Sequence, residues 1–334
     1  MAQQYAQDQA HGFKNHVESI AVVGAGGRIG EYIARELAKG DKHKVTAITR
    51  PDSTSKLPEG LHVVKVDYNN PSSLVDALRG QDALIITMAV TAPPDTETKI
   101  VQAAAEAGVP WIMANDWGVD YTNEDVARDT MLGERRHKVH ALIESLGKSS
   151  WISLVCGFWY EFSLGGSPAR YGFDFGNRSL TLFDDGNTKI NHSTWEQCGR
   201  AVANLFSFKV LPDDGSDKSP TISQFRNNYV YISSFLASQR DMFDSVLRVT
   251  GTSEKDWTIK HEDVKERYKK AVEDLKSGNM EGFVRLLYSR VFYPDGSGNH
   301  EASKGLHNDV LGLPKEDFDE RTKIAIERGE KGLL

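Results

Sequence analysis

The run Gly24-Ala25-Gly26-Gly27-Arg28-Ile29-Gly30 follows the apolar stretch Ser19–Val23 directly and opens a helical segment. No other feature limits the possible folds as much. Glycine at 24 permits a tight turn. Glycines at 26 and 27 let backbone N–H groups approach a pyrophosphate, and glycine at 30 lets the helix lie close to the strand. The helix N-terminus adds unpaired donors and a partial positive charge. Residues 24–30 therefore predict a phosphate cradle, with Ala25, Arg28 and Ile29 inside it.

The segments that follow fit this start. β-rich runs at 45–49, 63–66, 83–88, 109–113 and 151–156 alternate with helical segments. The helix over 28–39 carries Ile29, Ile33 and Leu37 on one face and stops at Gly40. A second helix starts at Asn70-Pro71, a third runs from about Asp95 to Gly108, and a longer helical region extends from Asn123 to Gly147. Such alternation predicts an α/β fold: a Rossmann-type, doubly wound parallel sheet. After Gly157 the chain becomes rich in aromatics and glycine, and 179–183 and 188–192 flank Asp184-Asp185-Gly186-Asn187 as a hairpin would. The expected organisation is a disordered N-terminal tail (1–18), a nucleotide-binding domain (19–157) and a smaller α/β substrate region (158–334) interleaved with the sheet.

Composition narrows the function classes. Forty basic against 47 acidic residues give a net charge of −7, so nucleic-acid binding is not expected. No apolar run reaches the roughly 18 residues of a membrane span, and residues 1–18 lack the apolar core of a signal peptide. A cytoplasmic protein is the default. Cys156 and Cys198 stand outside any CxxC pattern and read as small buried side chains. His137 and His140 have no evident third ligand, so no metal is expected.

The end of the second strand selects the cofactor. An acidic residue there would accept the 2′-hydroxyl of NAD and repel a 2′-phosphate. Arg50 stands at that end, 26 residues after Gly24, and a guanidinium pairs with phosphate. Ser53 and Lys56 add donors, whereas Asp52 argues the other way. NADPH is the expected cofactor. Asp67-Tyr68, after the third strand, is a candidate for the adenine side, and Met88-Ala89-Val90, after the fourth, for backing the nucleotide. A methyltransferase on the same sheet fits poorly, because an acidic residue would be expected at position 50.

With these residues in place the chain resembles the NmrA-like, isoflavone-reductase-like branch of the short-chain dehydrogenases, in particular its fungal oxidoreductases. The resemblance runs from about Ser19 to about Leu313. It is carried by the glycine loop, AITRPDSTSKLPEG (47–60), VDYNNPSSLVDALRGQDALI (66–85), WIMANDWGVD (111–120) and SSWISLVCGFWYEFSLG (149–165). It implies a monomeric or dimeric NADPH-dependent reductase of small aromatic or phenolic secondary metabolites, acting on C=O or C=C. It also admits a regulator that binds NADP(H) and a protein partner without chemistry.

The Tyr-x-x-x-Lys pair of many short-chain dehydrogenases is absent: Tyr121 is followed at that spacing by Asp125, Tyr160 by Leu164 and Tyr268 by Val272. In the branch this chain resembles, a lysine on the helix after strand five takes the corresponding part. Counting places it on Arg136 or His137; Lys138, the only lysine of that helix, lies up to roughly 200° around it. Arg136, His137 and Lys138 remain alternative catalytic candidates, with Tyr160 as a possible proton donor. In an open parallel sheet ligands sit beyond the carboxyl ends of the strands. Asn115 is there expected to contact the cofactor. Asp116, Trp117, Phe158, Trp159, Tyr160 and Phe162 are expected to line a substrate pocket.

Overall fold

The computed structural model describes residues 3–89, 92–93 and 95–334. Val90 lies outside the described residues. The first half forms β1 (Ser19–Val23), β2 (Lys44–Thr49), β3 (His62–Lys65), β4 (Ala83–Ile86), β5 (Trp111–Met113) and β6 (Ser150–Val155). Its helices are α1 (Arg28–Ala38), α2 (Pro71–Leu78), α3 (Thr96–Ala107), α4 (Glu124–Asp129) and α5 (Gly133–Leu146). The second half contributes β7 (Phe158–Trp159), β8 (Phe173–Asp174), β9 (Ser179–Phe183), β10 (Ile190–Ser193), β11 (Asn228–Tyr231), β12 (Phe235–Ala237) and β13 (Thr258–Glu262). Its helices are α6 (Tyr160–Leu164), α7 (Trp195–Phe206), α8 (Gln239–Thr250), α9 (Val264–Lys276), α10 (Glu281–Val291), α11 (His300–Lys304) and α12 (Phe318–Glu330).

Seven strands make one parallel sheet in the order β11-β6-β5-β4-β1-β2-β3. The chain winds from β1 out to β3, then returns to β4 on the other side of β1. This is the doubly wound Rossmann-type fold, and its switch point lies between the carboxyl ends of β1 and β4. Strands β4, β5 and β6 are buried along their whole length, as strands covered on both faces must be. α1 and α7 cover one face, packing Ile33, Leu37, Cys198 and Val202 against Ile20, Val22 and Ile85. α2, α3 and α5 cover the other, around Ile48, Leu84, Ile86 and Ile112. Because α7 and β11 come from the second half, the two halves share this core. A separate aromatic core, around Tyr160, Tyr171, Phe173, Phe243 and Phe292, holds the rest of the second half together.

Two expectations are corrected. Residues 3–18 are not a disordered tail. Ala6–Asp8 forms a single 3₁₀ turn, the Ala6 amide donates to Pro212 O at 2.9 Å, and Asn15 brackets Leu211 by donating to its carbonyl and accepting from its amide. The partner loop lies some two hundred residues away, which a local reading of a polar segment does not see. Nor do 179–183 and 188–192 form a hairpin. The turn at Asp184–Gly186 exists, but β9 pairs with β8 and β13 while β10 pairs with β7 and β12. All four β10 residues are buried, so this strand needs neighbours and cover that a two-stranded hairpin cannot supply.

Candidate functional site

The glycine loop occupies the switch point. Gly24 adopts φ +83°, and a Cβ there would overlap the Thr87 carbonyl just beyond β4. A Cβ at Gly30 would overlap the Gly24 carbonyl and the Thr87 hydroxyl, which donates to Val23 O at 2.8 Å. Strand, turn and helix thus meet without room for a methyl group. At Gly26 a Cβ would come within 2.7 Å of Ser55 Cβ, so the 53–57 loop folds over the turn. Gly27 is the N-cap of α1 and offers no side-chain cap, which leaves first-turn N–H groups for an anion. Ala25 and Ile29 face the core, and their part in a cradle is confined to the backbone. Arg28 is exposed, its guanidinium 5.0 Å from the centre of the Phe162 ring.

From this turn a cleft of about 660 Å³ runs past Arg50, Ser53, Asp67 and Tyr68 to Met88 and Ala89. Arg50 is largely exposed, and its nearest carboxylate, Asp52, is 3.6 Å away. This single loose pair, at Nε, leaves the other guanidinium nitrogens facing solvent at the cleft. The Ser53 amide donates to Arg50 O, which turns Ser53 back towards the cleft. Lys56 lines the neighbouring depression with Glu31, Arg35 and Lys39. The Asp67 carboxylate accepts from the Asn69 amide at 2.9 Å and shapes the turn. Tyr68 beside it lines the same cleft, and burial pushes its hydroxyl up to about 12.

The floor beyond β4 and β5 is tied together. The Asn115 side chain donates to Met88 O at 3.0 Å, and its amide donates to the buried Glu97 carboxylate. Arg135 balances Glu97 at 3.3 Å. Trp117 donates from Nε1 to Ile86 O at 2.8 Å, laying the indole beside the end of β4. Asp116 does not line a pocket. It is buried, accepts from Ser153 Oγ at 2.6 Å, and lies 3.0 Å from His140 Nε2. His140 in turn stacks on Trp151 at 3.7 Å. Asp116 turns inward because α5 and β6 supply partners that an open crevice lacks.

The structure also separates the three neighbours on α5. Arg136 is buried beside Tyr121, its Nε without a partner among the described residues. Burial raises the Tyr121 hydroxyl, and the guanidinium opposes that rise. His137 is exposed and bonds to Tyr121 O at 3.0 Å. Lys138 points to solvent and pairs with Glu134 at 2.6 Å, so it is corrected as a catalytic candidate. Tyr160 is corrected too. It is fully buried in the second core, bonded to Thr322 Oγ1 at 2.7 Å, and burial raises its hydroxyl far beyond the range of a proton donor at neutral pH. Phe158, Trp159 and Phe162 are half-buried. Phe158 stacks on Tyr288 at 4.2 Å, while Trp159 and Phe162 meet Trp195. Thr87 and Glu97 escaped sequence reasoning; only their positions after β4 and at the start of α3 could have pointed to them.

Among the described residues, no group of three or more His, Cys, Asp or Glu side chains is placed to hold a metal, and no helix is long and apolar enough to cross a membrane.

A glycine-lined, uncapped helix N-terminus at the switch point of a doubly wound sheet defines a dinucleotide-binding protein. Residues 16–164 match the model of the NmrA-like family. The chain is 27% identical over 307 residues to oxidoreductase aprR of Aspergillus flavus, covering 90% of this chain and 96% of that relative. It is 25% identical over 308 residues to oxidoreductase poxI of Penicillium oxalicum, covering 89% and 90%. The fold is shared with AtPrR2, solved with NADP⁺ and (+)pinoresinol, at a TM-score of 0.72 and 17% identity over 94% of this chain and 100% of that one. It is shared as well with an isoflavone reductase, at a TM-score of 0.67 and 18% identity over 92% and 98%.

Proposed function

We propose that this chain is an NADPH-dependent reductase of a small, largely apolar aromatic metabolite. The observation that carries this reading is the uncapped, methyl-free entrance to α1, with the Arg50 guanidinium at the end of the adjoining strand and no carboxylate closer than 3.6 Å. The oxidoreductase relatives and a neighbour of the same fold solved with NADP⁺ support it.

In this reading the N–H groups of Gly26, Arg28 and Ile29 hold the pyrophosphate, the Gly27 N–H being taken by Gly24 O at 2.8 Å, and Arg28 screens it. Arg50 and Ser53 take the 2′-phosphate, and Asp67 and Tyr68 border the adenine. Met88, Ala89 and Asn115 back the nicotinamide side. NADPH, when bound, supplies a hydride to the substrate. Arg136, a permanent cation inside the protein, stabilises negative charge that develops on substrate oxygen. His137, bonded to the Tyr121 carbonyl, is the alternative. Trp117, Phe158, Trp159 and Phe162 present apolar surface that excludes water.

The test mixes the protein with NADPH and a panel of phenolic ketones and enones and follows loss of the reduced cofactor's absorbance. Turnover is expected. A second reading, a dinucleotide-sensing regulator, is favoured by Arg136 standing where the resemblance calls for a titratable lysine. Tight NADPH binding without turnover on any panel member would select it.

A further inference from the structure

A second cavity, of about 850 Å³, lies at the amino end of the sheet, away from the dinucleotide crevice. Pro110 and Trp111 line it at the start of β5, Ser149 and Ser150 at the start of β6, and Arg226 and Asn227 just before β11. The N-terminal segment supplies another part of the wall, including Phe13 and Val17. That segment is fixed by Asn15, which brackets Leu211, and by the Val210 amide, which donates to Asn15 O at 3.2 Å. The ligands of a doubly wound sheet sit beyond the carboxyl ends of its strands. Neither a dinucleotide nor the molecule it reduces therefore occupies this space.

Arg226 is the half-buried cation of this lining; Lys14, His16 and Lys148 are exposed. Its place is built into the backbone. It follows the 3₁₀ turn Ile222–Phe225, and its amide donates to Ser223 O at 3.3 Å. Asn227, at φ +51°, donates its amide to Trp151 O at 2.9 Å and accepts the Trp151 amide on Oδ1 at 3.0 Å. The Arg226 guanidinium lies 4.7 Å from the centre of the Trp111 ring, and Nη1 donates to Ser150 Oγ at 2.6 Å. That is its one side-chain hydrogen bond among the described residues, and it forms no ion pair among them. Burial lowers its pKa, and no carboxylate opposes the fall. A guanidinium drawn partly out of water without a counter-ion is costly, and an incoming anion offsets that cost.

The rest of the lining selects the anion. Asp82 accepts the amides of Glu18 and Ser19 at 2.8 Å each, and Glu144 accepts Trp151 Nε1 at 2.7 Å. Both carboxylates are thus engaged elsewhere, yet they border the cavity and repel a doubly charged phosphate. Phe13, 40% exposed, and Leu211 offer apolar surface in the same cavity. We propose that the amino end of the sheet holds a second ligand site, which takes a small monocarboxylate with an apolar body. The carboxylate pairs with the Nε–Nη2 edge of Arg226, and the apolar part lies against Phe13 and Leu211. Trp111 and Ser150 already hold the plane of the guanidinium, so little ordering remains to be done on binding. The site is independent of the reductase reading and stands equally in a protein that only senses the dinucleotide.

The test titrates the full chain with benzoate, 3-phenylpropionate and octanoate, read by saturation-transfer NMR of the probe, with 3-phenylpropionamide and inorganic phosphate as controls. At least one carboxylate is expected to saturate the protein below about 10 mM, with the uncharged amide at least about tenfold weaker. Arg226→Met is expected to weaken the carboxylate at least about tenfold. Phe13→Ser, a change at an exposed side chain, is expected to weaken it several-fold and serves should the first variant not fold. Both variants are expected to leave the Kd for NADPH unchanged. Four results overturn the proposal. The first is that none of the three carboxylates saturates. The second is that amide or phosphate binds as well as the carboxylate. The third is that affinity is unchanged in either variant, which places the probe in the dinucleotide crevice instead. The fourth is that light scattering finds a dimer of the parent that Arg226→Met dissolves, which gives the guanidinium to a second copy of the chain.

Discussion

The Asn115 side chain donates to the Met88 carbonyl at 3.0 Å and so fastens the end of β5 to the end of β4 where the crevice floor passes beneath the nucleotide. Asn115→Ala leaves that carbonyl unpaired. The expected outcome is a loss of about 1–3 kcal/mol in urea unfolding, together with a raised KM for NADPH. Unchanged stability and KM would show that the floor holds without this bond.

Gly30→Ala should be costlier than its size suggests. The added methyl meets the Gly24 carbonyl, which is backbone, and the Thr87 hydroxyl, which is held by its bond to Val23 O at 2.8 Å, so neither steps aside freely. A loss on the order of 1–3 kcal/mol is expected, with NADPH binding abolished in calorimetry. The comparison substitution Gly40→Ala has open space but a φ of +80°. It should destabilise through backbone strain alone and leave NADPH binding intact.

Arg136 and Lys138 make a paired prediction. Arg136→Met should lower kcat by about 10²–10³ with little change in the Kd for NADPH. Lys138→Ala removes only a solvent-facing pair with Glu134 and should shift stability by no more than about 0.5 kcal/mol without changing kcat. The reverse pattern would reassign the site to the outer face of α5.

Acid should loosen the second core before the first. His192 is fully buried, bonded at Nδ1 to the Tyr171 hydroxyl at 2.6 Å and at Nε2 to Ala237 O at 3.1 Å. Burial pushes its pKa down to about 4. The unfolded chain therefore binds a proton there between about pH 6.5 and pH 4 that the folded chain does not. Stability contributed by the neutral ring is complete above that window and is lost as the pH falls through it. Thermal unfolding across the window checks this, and His192→Gln should flatten the slope.

How much was legible in the sequence follows from whether the information was local. The position of the glycine turn could be read because strand, turn and helix are contiguous in 19–38, and that of Arg50 at the end of β2 because one βα unit fixes its distance from Gly24. Asp116 could not be placed, since its partners Ser153 and His140 come from other elements. The inward side of α5 was ambiguous because its charged residues run almost unbroken from Glu134 to Lys138; only packing against Tyr121 separates Arg136 from its neighbours. The hairpin reading failed for a similar reason. Turn chemistry at 184–187 is local, but the pairing of β9 with β13 joins residues about eighty positions apart.

The central claim is that NADPH lies across the N-terminus of α1 with its 2′-phosphate on Arg50. The most direct test is calorimetric titration of the protein and its Arg50→Ala variant with NADPH and with NADH. The account predicts that NADPH binds the parent at least about tenfold more tightly than NADH, and that removing the guanidinium erases about 1.5–3 kcal/mol of that preference. Equal affinity for the two coenzymes in the parent, or no binding of either, would contradict it.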